Sequence, residues 1–389
     1  MSPATKIMLS CGEPSGDLYA GALAAELRAL DPAVRIFGMG GEHLAAAGGR
    51  LVADYQGLAV TGLAEALAVL PRSLVTYRRL LAAARAERPD VLVVIDFPDF
   101  NFRLGAAVAA LGIPIVYYIG PQVWAWRPGR LGVMKRFVDR ALVIFPFEPP
   151  LYEAAGIPVT FVGHPLLELT GRGVGRERFR RRHGLETGSP TVAILPGSRP
   201  NELRTILPGL VGAAARIARE LPGTRFVVAR APHLDDALFA PLAGLPAPPV
   251  VVESETDDVL VASDVVLTAS GTATVQTAIH ERPMVVVYRL SRLSYWLGRR
   301  FVRVPAFAMV NLVTGRKVVP ELLQDEFTPE AVAAEAIRFL TEPARAARAR
   351  DDLRQVRAAL GGAGASRRAA EQVLSAAGAG RAVRSEPTA

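Results

Sequence analysis

Five apolar residues in a row, Val91–Ile95 (VLVVI), all but one β-branched, constrain the fold of this chain more than any other stretch. A run that short and unbroken reads as a strand covered on both faces, as in a parallel sheet layered between helices. Similar runs recur at Lys6–Gly12, Val34–Gly40, Ile113–Gly120, Ala141–Phe147 and Val159–Val162. They resume at Thr191–Leu195, Arg225–Arg230, Val250–Val252, Val265–Thr268 and Pro283–Tyr288, the last core strand in this reading. Apolar-periodic stretches such as Leu18–Leu30 and Gly62–Glu87 lie between them. Strand and helix in alternation predict an α/β chain, and the pattern restarts midway. Two Rossmann-like domains facing across a cleft are therefore expected, over residues 1–168 and 169–345, and 389 residues suffice for two cores. C-terminal helices over 346–378 and a disordered tail over 379–389 complete the expected layout.

The composition narrows the chemistry. The only cysteine, Cys11, falls at the end of the first strand and reads as a small core residue, so neither a disulfide framework nor a Cys-based zinc site is available. Lys and Arg outnumber Asp and Glu by 45 to 37, which favours anionic partners: nucleotides, phosphorylated substrates or an acidic membrane surface. The arginine run from Arg172 to Arg182 carries only Phe179 as an aromatic, so it reads as a linker and solvated helix and not as a nucleic-acid surface. No signal peptide and no uncharged apolar run near the roughly 20 residues of a bilayer span is seen, so a cytoplasmic protein is expected. Two stretches are both apolar and basic, Gly62–Glu87 and Ser291–Val304 (with Tyr295, Trp296 and four arginines), and suggest contact with a membrane surface.

In open α/β sheets, ligands bind beyond the carboxyl ends of the strands. Asp96 leaves Val91–Ile95 at that end, followed by Asp99 and Asn101; the plainer role for either aspartate is to cap the next helix. The first strand ends in Gly12-Glu13-Pro14-Ser15-Gly16-Asp17, neither a G-x-G-x-x-G fingerprint nor a P-loop. Glu13 and Asp17 would repel a phosphate and suit sugar hydroxyls. Two of the three tryptophans, Trp124 and Trp126, share one loop with Gln122, as packing anchors or a stacking platform. His164 sits at a strand exit, where a satisfied loop histidine is the default; His43, His183, His233 and His280 look incidental. In the second half, Gly197-Ser198-Arg199 offers a close backbone approach with a permanent cation, and Ser270-Gly271-Thr272 opens a helix after a buried strand. Together they point to a diphosphate. Asn311, Arg316 and Pro320–Gln324 form a polar cluster suited to closing a nucleotide site.

Taken together, GEPSGD (12–17), IDFPDFN (95–101), QVWAW (122–126), VGHP (162–165), LPGSRPNE (195–202), SGTAT (270–274) and NLVTGRKVVPELLQ (311–324) resemble the lipid-A-disaccharide synthase family, glycosyltransferase family 19. The resemblance implies a GT-B fold and an inverting hexosyltransferase that uses no metal or other cofactor. It implies UDP-2,3-diacylglucosamine as donor and 2,3-diacylglucosamine 1-phosphate (lipid X) as acceptor. The products are then the β-1,6-linked disaccharide 1-phosphate and UDP. It further implies peripheral association with the inner membrane of a Gram-negative cell and a homodimer, with exchange of C-terminal segments as one form of it. Gln276 stands where the family usually has Glu, and Val310 where it commonly has Pro. On this basis Asp96 is the expected general base with Glu13 in reserve. Arg199 and the Ser270–Thr272 helix start neutralise the departing diphosphate. Gln276 and Asn311 hold the nucleotide, and Ser15, Asp17, Asn101, Gln122, Trp124 and His164 are acceptor-side or hinge candidates. Another UDP-sugar enzyme of the same fold, epimerases included, and a non-catalytic nucleotide-sugar binder are the alternatives.

Overall fold

A computed structural model describes residues 4–58, 63–123, 129–171, 173–185, 188–232, 234–289 and 306–385. The chain divides into two units, Met1–Pro165 together with Gly361–Ala389, and Leu166–Leu360.

The first unit carries seven parallel strands: β1 (Lys6–Cys11), β2 (Arg35–Gly40), β3 (Arg50–Asp54), β4 (Val91–Ile95), β5 (Ile115–Tyr118), β6 (Arg140–Val143) and β7 (Val159–Phe161). Their order is β3-β2-β1-β4-β5-β6-β7. The chain runs outward in one direction from β1 and in the other from β4, so the order reverses between these two strands. That reversal opens a crevice at their carboxyl ends. All five residues of β4 are fully buried, as the unbroken apolar run requires. Met8, Leu92, Val94 and Tyr117 pack on one face of the sheet with Phe100, Leu104 and Phe137.

The C-terminal helix Ala365–Ser385 belongs to this unit and packs on the helix Pro14–Leu30 and on β4. Its buried side is Ala365, Ala369, Ala370, Val373 and Ala377, small residues that permit close approach. At Gly380 a Cβ would lie 2.8 Å from the Asp90 carbonyl oxygen. Arg368 Nε donates to the Val162 carbonyl at 2.9 Å, and Arg140 donates to Gln372 Oε1 at 2.7 Å. The tail expected from residue 379 is thus helical as far as Ser385.

The second unit repeats the plan with β8 (Thr191–Leu195), β9 (Arg225–Arg230), β10 (Val250–Glu253), β11 (Val265–Ala269), β12 (Met284–Tyr288) and β13 (Glu321–Leu323), all parallel. The order β10-β9-β8-β11-β12-β13 reverses between β8 and β11. Met284–Tyr288 is therefore not the last strand: Glu321–Leu323, read from sequence as part of a polar cluster, adds three more residues to the edge. The helices Pro200–Glu220 and Pro329–Thr341 cover one face around Leu203, Leu207, Leu210, Phe327 and Phe339. The arginine run is part of this unit. Arg176 pairs with Asp264 at 2.7 Å, Arg182 pairs with Glu255 at 2.8 Å, and buried Arg180 donates to the Ser189 carbonyl at 2.6 Å. Those cations serve the fold.

Candidate active site

Two turns meet at the β1/β4 reversal, Gly12–Asp17 and Asp96–Asn101. Asp96 (φ 45°) and Phe97 (φ 48°) both adopt the left-handed conformation that L side chains rarely take. Each such residue costs on the order of 1–3 kcal/mol, and the surroundings must hold it. Asn101, fully buried in the first turn of the helix Pro98–Ala109, supplies much of that hold. Its amide nitrogen donates to the Asp96 carbonyl at 2.8 Å and to the carbonyls of Ser10 and Ile95 at 3.2 Å, and its oxygen accepts from Ser10 Oγ at 2.7 Å. Tyr117 Oη donates to the same Asp96 carbonyl at 3.0 Å. Asn101, an acceptor-side or hinge candidate from sequence, acts on the turn that presents Asp96, because its hydrogen bonds are made inside the unit.

Three buried tyrosines feel the Asp96 charge. Tyr19, Tyr117 and Tyr152 are all pushed above the ordinary phenol range, by burial first; the Asp96 charge adds to the rise in each, preceded in Tyr152 by Glu148. His164 stands edge-on to Tyr19 and Phe145, 2 % exposed, and burial lowers its pKa to about 3. It is therefore neutral, packed and in the first unit. The ring of Phe97 lies against Gly12, where a Cβ would come within 2.1 Å of it, so the two turns interlock.

The remaining candidates of this unit separate. Glu13 is half-buried at the start of the helix Pro14–Leu30, and its side chain does not cap that helix. Ser15 is half-buried in the first turn of the same helix. Asp17, taken from sequence for an acceptor contact, is buried and receives the backbone N–H groups of Gly41, His43 and Leu44 at 2.7, 2.9 and 3.2 Å. Its carboxylate anchors the helix Glu42–Ala46. Asp99 pairs with Arg130 at 2.5 Å. Gln122 is exposed, whereas Trp124 and Trp126 lie outside the described residues, as do Tyr295, Trp296 and the basic stretch around them. Buried Cys11, its thiol pushed up by burial, reaches the Met39 carbonyl at 3.4 Å.

In the second unit, both sequence signals for a diphosphate fall just past the ends of the two strands that flank the reversal, β8 and β11. Gly197 (φ 113°) makes the turn after β8. Glu202, read from sequence only as the last residue of the LPGSRPNE motif, holds that turn: one carboxylate oxygen accepts from Ser198 N–H at 3.1 Å and the other pairs with Arg199 at 3.2 Å. The Tyr288 hydroxyl, at the end of β12, is raised by burial and by Glu202, with Arg199 opposing. After β11, Ser270 N–H donates to the Val287 carbonyl at 3.0 Å and its hydroxyl to the Phe307 carbonyl at 3.3 Å. Gly271 (φ 153°) and Thr272 then open the helix Thr272–Ile279 toward solvent, with no acidic residue in its first turn. Such a helix start favours an anion.

Gln276 donates its amide N–H to Asp257 Oδ1 at 2.7 Å, and His280 Nε2 meets the same oxygen at 2.8 Å. Asp257 Oδ2 accepts from Gly171 N–H at 2.9 Å. Burial opposes ionisation of Asp257, but the bonds from His280, Gln276 and Gly171 outweigh it and hold the carboxyl below its ordinary range. His280 is thus not incidental; its position four residues after Gln276 on one helix face was the available signal. Asn311 is buried, and its amide is committed within the unit. It donates to the Val319 carbonyl at 3.0 Å and to Glu321 Oε1, and accepts from Val318 and Val319 N–H at 2.7 and 3.0 Å. With both donors and both acceptor positions occupied, it fixes the segment between β12 and β13 and has no side-chain capacity left to grip a nucleotide.

Among the described residues no group of three or more His, Cys, Asp and Glu side chains is placed to hold a metal ion, and no helix is long and apolar enough to cross a membrane.

Similarity agrees with this geometry. The family model for lipid-A-disaccharide synthetase matches residues 7–376. The lipid-A-disaccharide synthase of Myxococcus xanthus is 43 % identical over 375 residues, covering 96 % of this chain and 98 % of that protein. Among solved structures, the calicheamicin glycosyltransferase CalG4 aligns with a TM-score of 0.60 at 18 % identity, over 96 % of this chain and 98 % of that one. The UDP-GlcNAc 2-epimerase of Neisseria meningitidis aligns with a TM-score of 0.64 at 11 % identity, over 95 % and 100 %. At those identities the likeness is one of fold, and that fold is GT-B. The chain belongs to the lipid-A-disaccharide synthetase family, a GT-B hexosyltransferase of lipid A disaccharide synthesis.

Proposed function

We propose that the enzyme transfers the sugar of UDP-2,3-diacylglucosamine to the 6-hydroxyl of 2,3-diacylglucosamine 1-phosphate by a single inverting displacement. The observation that carries this reading is the Asp96 turn: a carboxylate at the carboxyl end of β4, beside the β1/β4 reversal, presented by two consecutive left-handed residues that Asn101 and Tyr117 hold. Asp96 takes the hydroxyl proton as the acceptor oxygen attacks the anomeric carbon. The bond from that carbon to the β-phosphate oxygen breaks, and its electron pair leaves with UDP. Arg199 and the free N–H groups at Gly271 and Thr272 offset the charge on the departing diphosphate. Gln276 contacts the nucleoside, and Glu13 is the second carboxylate on the acceptor side. Support for a membrane-borne acceptor comes from the helix Leu63–Glu87, which exposes Leu70, Leu74 and Val75 beside exposed Arg72, Arg78 and Arg79. We place the enzyme on the cytoplasmic face of the inner membrane, as a homodimer.

The test is release of UDP, with formation of a disaccharide monophosphate by mass spectrometry, from purified protein given both acylated substrates. An epimerase releases no disaccharide, and a silent binder releases neither product. Asp96→Asn should lower kcat by about 10²–10⁴-fold while UDP affinity holds. Near-normal turnover in that variant would remove Asp96 as the base.

A further inference from the structure

The exit of β5 lies beside the Asp96 turn and is strained in the same sense. Ile119 has φ 58°, an outlier for a β-branched side chain. Its N–H is fixed on the Leu142 carbonyl of β6 at 2.9 Å, and its carbonyl accepts from Asp96 N–H at 3.2 Å. Tyr117, on the same strand, donates to the Asp96 carbonyl. The end of β5 thus holds both peptide groups that flank the Asp96 side chain. Strain of this kind persists only where the surroundings enforce it, and the residue pressed against this exit is Tyr152. A β-carbon on Gly120 would lie 1.9 Å from Tyr152 Oη, so the hydroxyl fills the place where any other residue at 120 would begin its side chain. Tyr152 is fully buried, and among the described residues its hydroxyl forms no hydrogen bond. Such a hydroxyl carries a desolvation penalty that phenylalanine would avoid. The ring has no way to draw back. Its helix, Pro149–Ala154, is tied to the residues just past β6 by Glu148, whose carboxylate accepts from Ile144 and Phe145 N–H at 3.2 and 2.9 Å.

We propose that Tyr152 is a positioning residue for the transfer: its hydroxyl is a wedge against Gly120 that keeps Ile119 left-handed, and so keeps the Ile119 carbonyl on the Asp96 N–H. The assignment rests on the reading of Asp96 as the base. Tyr152 acts from the core, through the β5 exit, on the direction in which the Asp96 carboxylate is presented. Without the wedge, Ile119 relaxes toward an extended conformation, its carbonyl turns away, and the Asp96 turn loses one of its ties to β5. One atom thus carries both a stability penalty and a catalytic gain, and its removal should lower activity without lowering stability.

Tyr152→Phe, which deletes that oxygen alone, is the test, read by kinetics with both acylated substrates, UDP calorimetry and urea unfolding. kcat should fall by about 10–10²-fold, as for a misplaced reacting group, while UDP affinity stays level and the unfolding midpoint holds or rises. An unchanged kcat would overturn the proposal. So would a midpoint that falls together with kcat, since the hydroxyl would then merely support the core. In Asp96→Asn protein the same substitution should slow turnover no further, because it acts only through Asp96; a full additional loss would also overturn it. Gly120→Ala added to Tyr152→Phe returns an atom to the vacated place from the other side, with the nearest remaining ring carbon 3.1 Å away. That double variant should recover most of the lost kcat, and one no faster than Tyr152→Phe would overturn the wedge. Near-normal turnover of Asp96→Asn would remove the base and this assignment with it. A slow Asp96→Asn protein beside a fully active Tyr152→Phe protein would remove this assignment alone.

Discussion

His164 carries a pH signature of its own. Burial between Tyr19 and Phe145 lowers its pKa from 6.5 to about 3. As pH falls below 6.5 the unfolded chain takes up this proton before the folded one does, so stability declines from there down to about pH 3. The residue should contribute roughly 2–3 kcal/mol of lost stability between pH 7 and pH 4.5. His164→Gln should flatten that part of the profile in urea unfolding, and an unchanged slope would contradict the buried neutral state. Asn101 and Asn311 show where reading by letter stops. A polar residue following an apolar stretch is written the same way whether it grips a ligand or ties the backbone. Only burial separates the two, and burial is set by the helices that later close over the site. Asp96, by contrast, was legible as a candidate, since the strand before it fixes which end it leaves. The left-handed backbone that presents it left no mark, because neither Asp96 nor Phe97 is glycine. Gln276 was read as a nucleotide contact, but its partner Asp257 lies nineteen positions away and carried no motif.

At the level of the element, the β1 and β4 exits behave as one part. The Phe97 ring occupies the space a side chain at Gly12 would need. Gly12→Ala should drive that ring aside and unseat the Asp96 turn. A shift of about 1 Å at a reacting group can cost on the order of 10²-fold, so kcat should fall by that order while UDP affinity, which we assign to the other unit, stays level. Kinetics beside calorimetry would check it, and undiminished turnover would show that the two turns are independent. The long buried strands were plain in the sequence because five or six continuous apolar residues admit few alternatives. β13 was not, since Glu321–Leu323 is too short for a pattern and begins with a buried glutamate. That glutamate receives the N–H groups of Phe307 and Ala308 at 2.9 and 3.1 Å and bonds Asn311. What read as a polar cluster at a ligand site is the brace that sets the chain entering the helix Met309–Thr314. Helix was expected as far as residue 378, yet nothing in the sequence of Ala365–Ser385 named the surface it would cover.

For the whole molecule, net charge and exposed surface combine. The formal charge is +8, and Leu70, Leu74 and Val75 are 43, 47 and 47 % exposed on a helix bearing arginines. The protein should bind vesicles containing anionic lipid at low ionic strength and release them as salt rises. Leu70→Asp with Leu74→Asp should weaken binding further without changing UDP affinity. Vesicles that fail to bind the wild type at low salt would refute the membrane reading. The layout of the two units also sets a schedule for the growing chain. Residues 166–360 lie between the two parts of the first unit, so a ribosome delivers every residue of the second unit before the helix Ala365–Ser385 exists. Until that helix arrives, the faces of Pro14–Leu30 and β4 that it covers have no lid. The unit that is synthesised first is therefore the one that folds to completion last, and during that interval its uncovered face is the part of the nascent chain most in need of a chaperone.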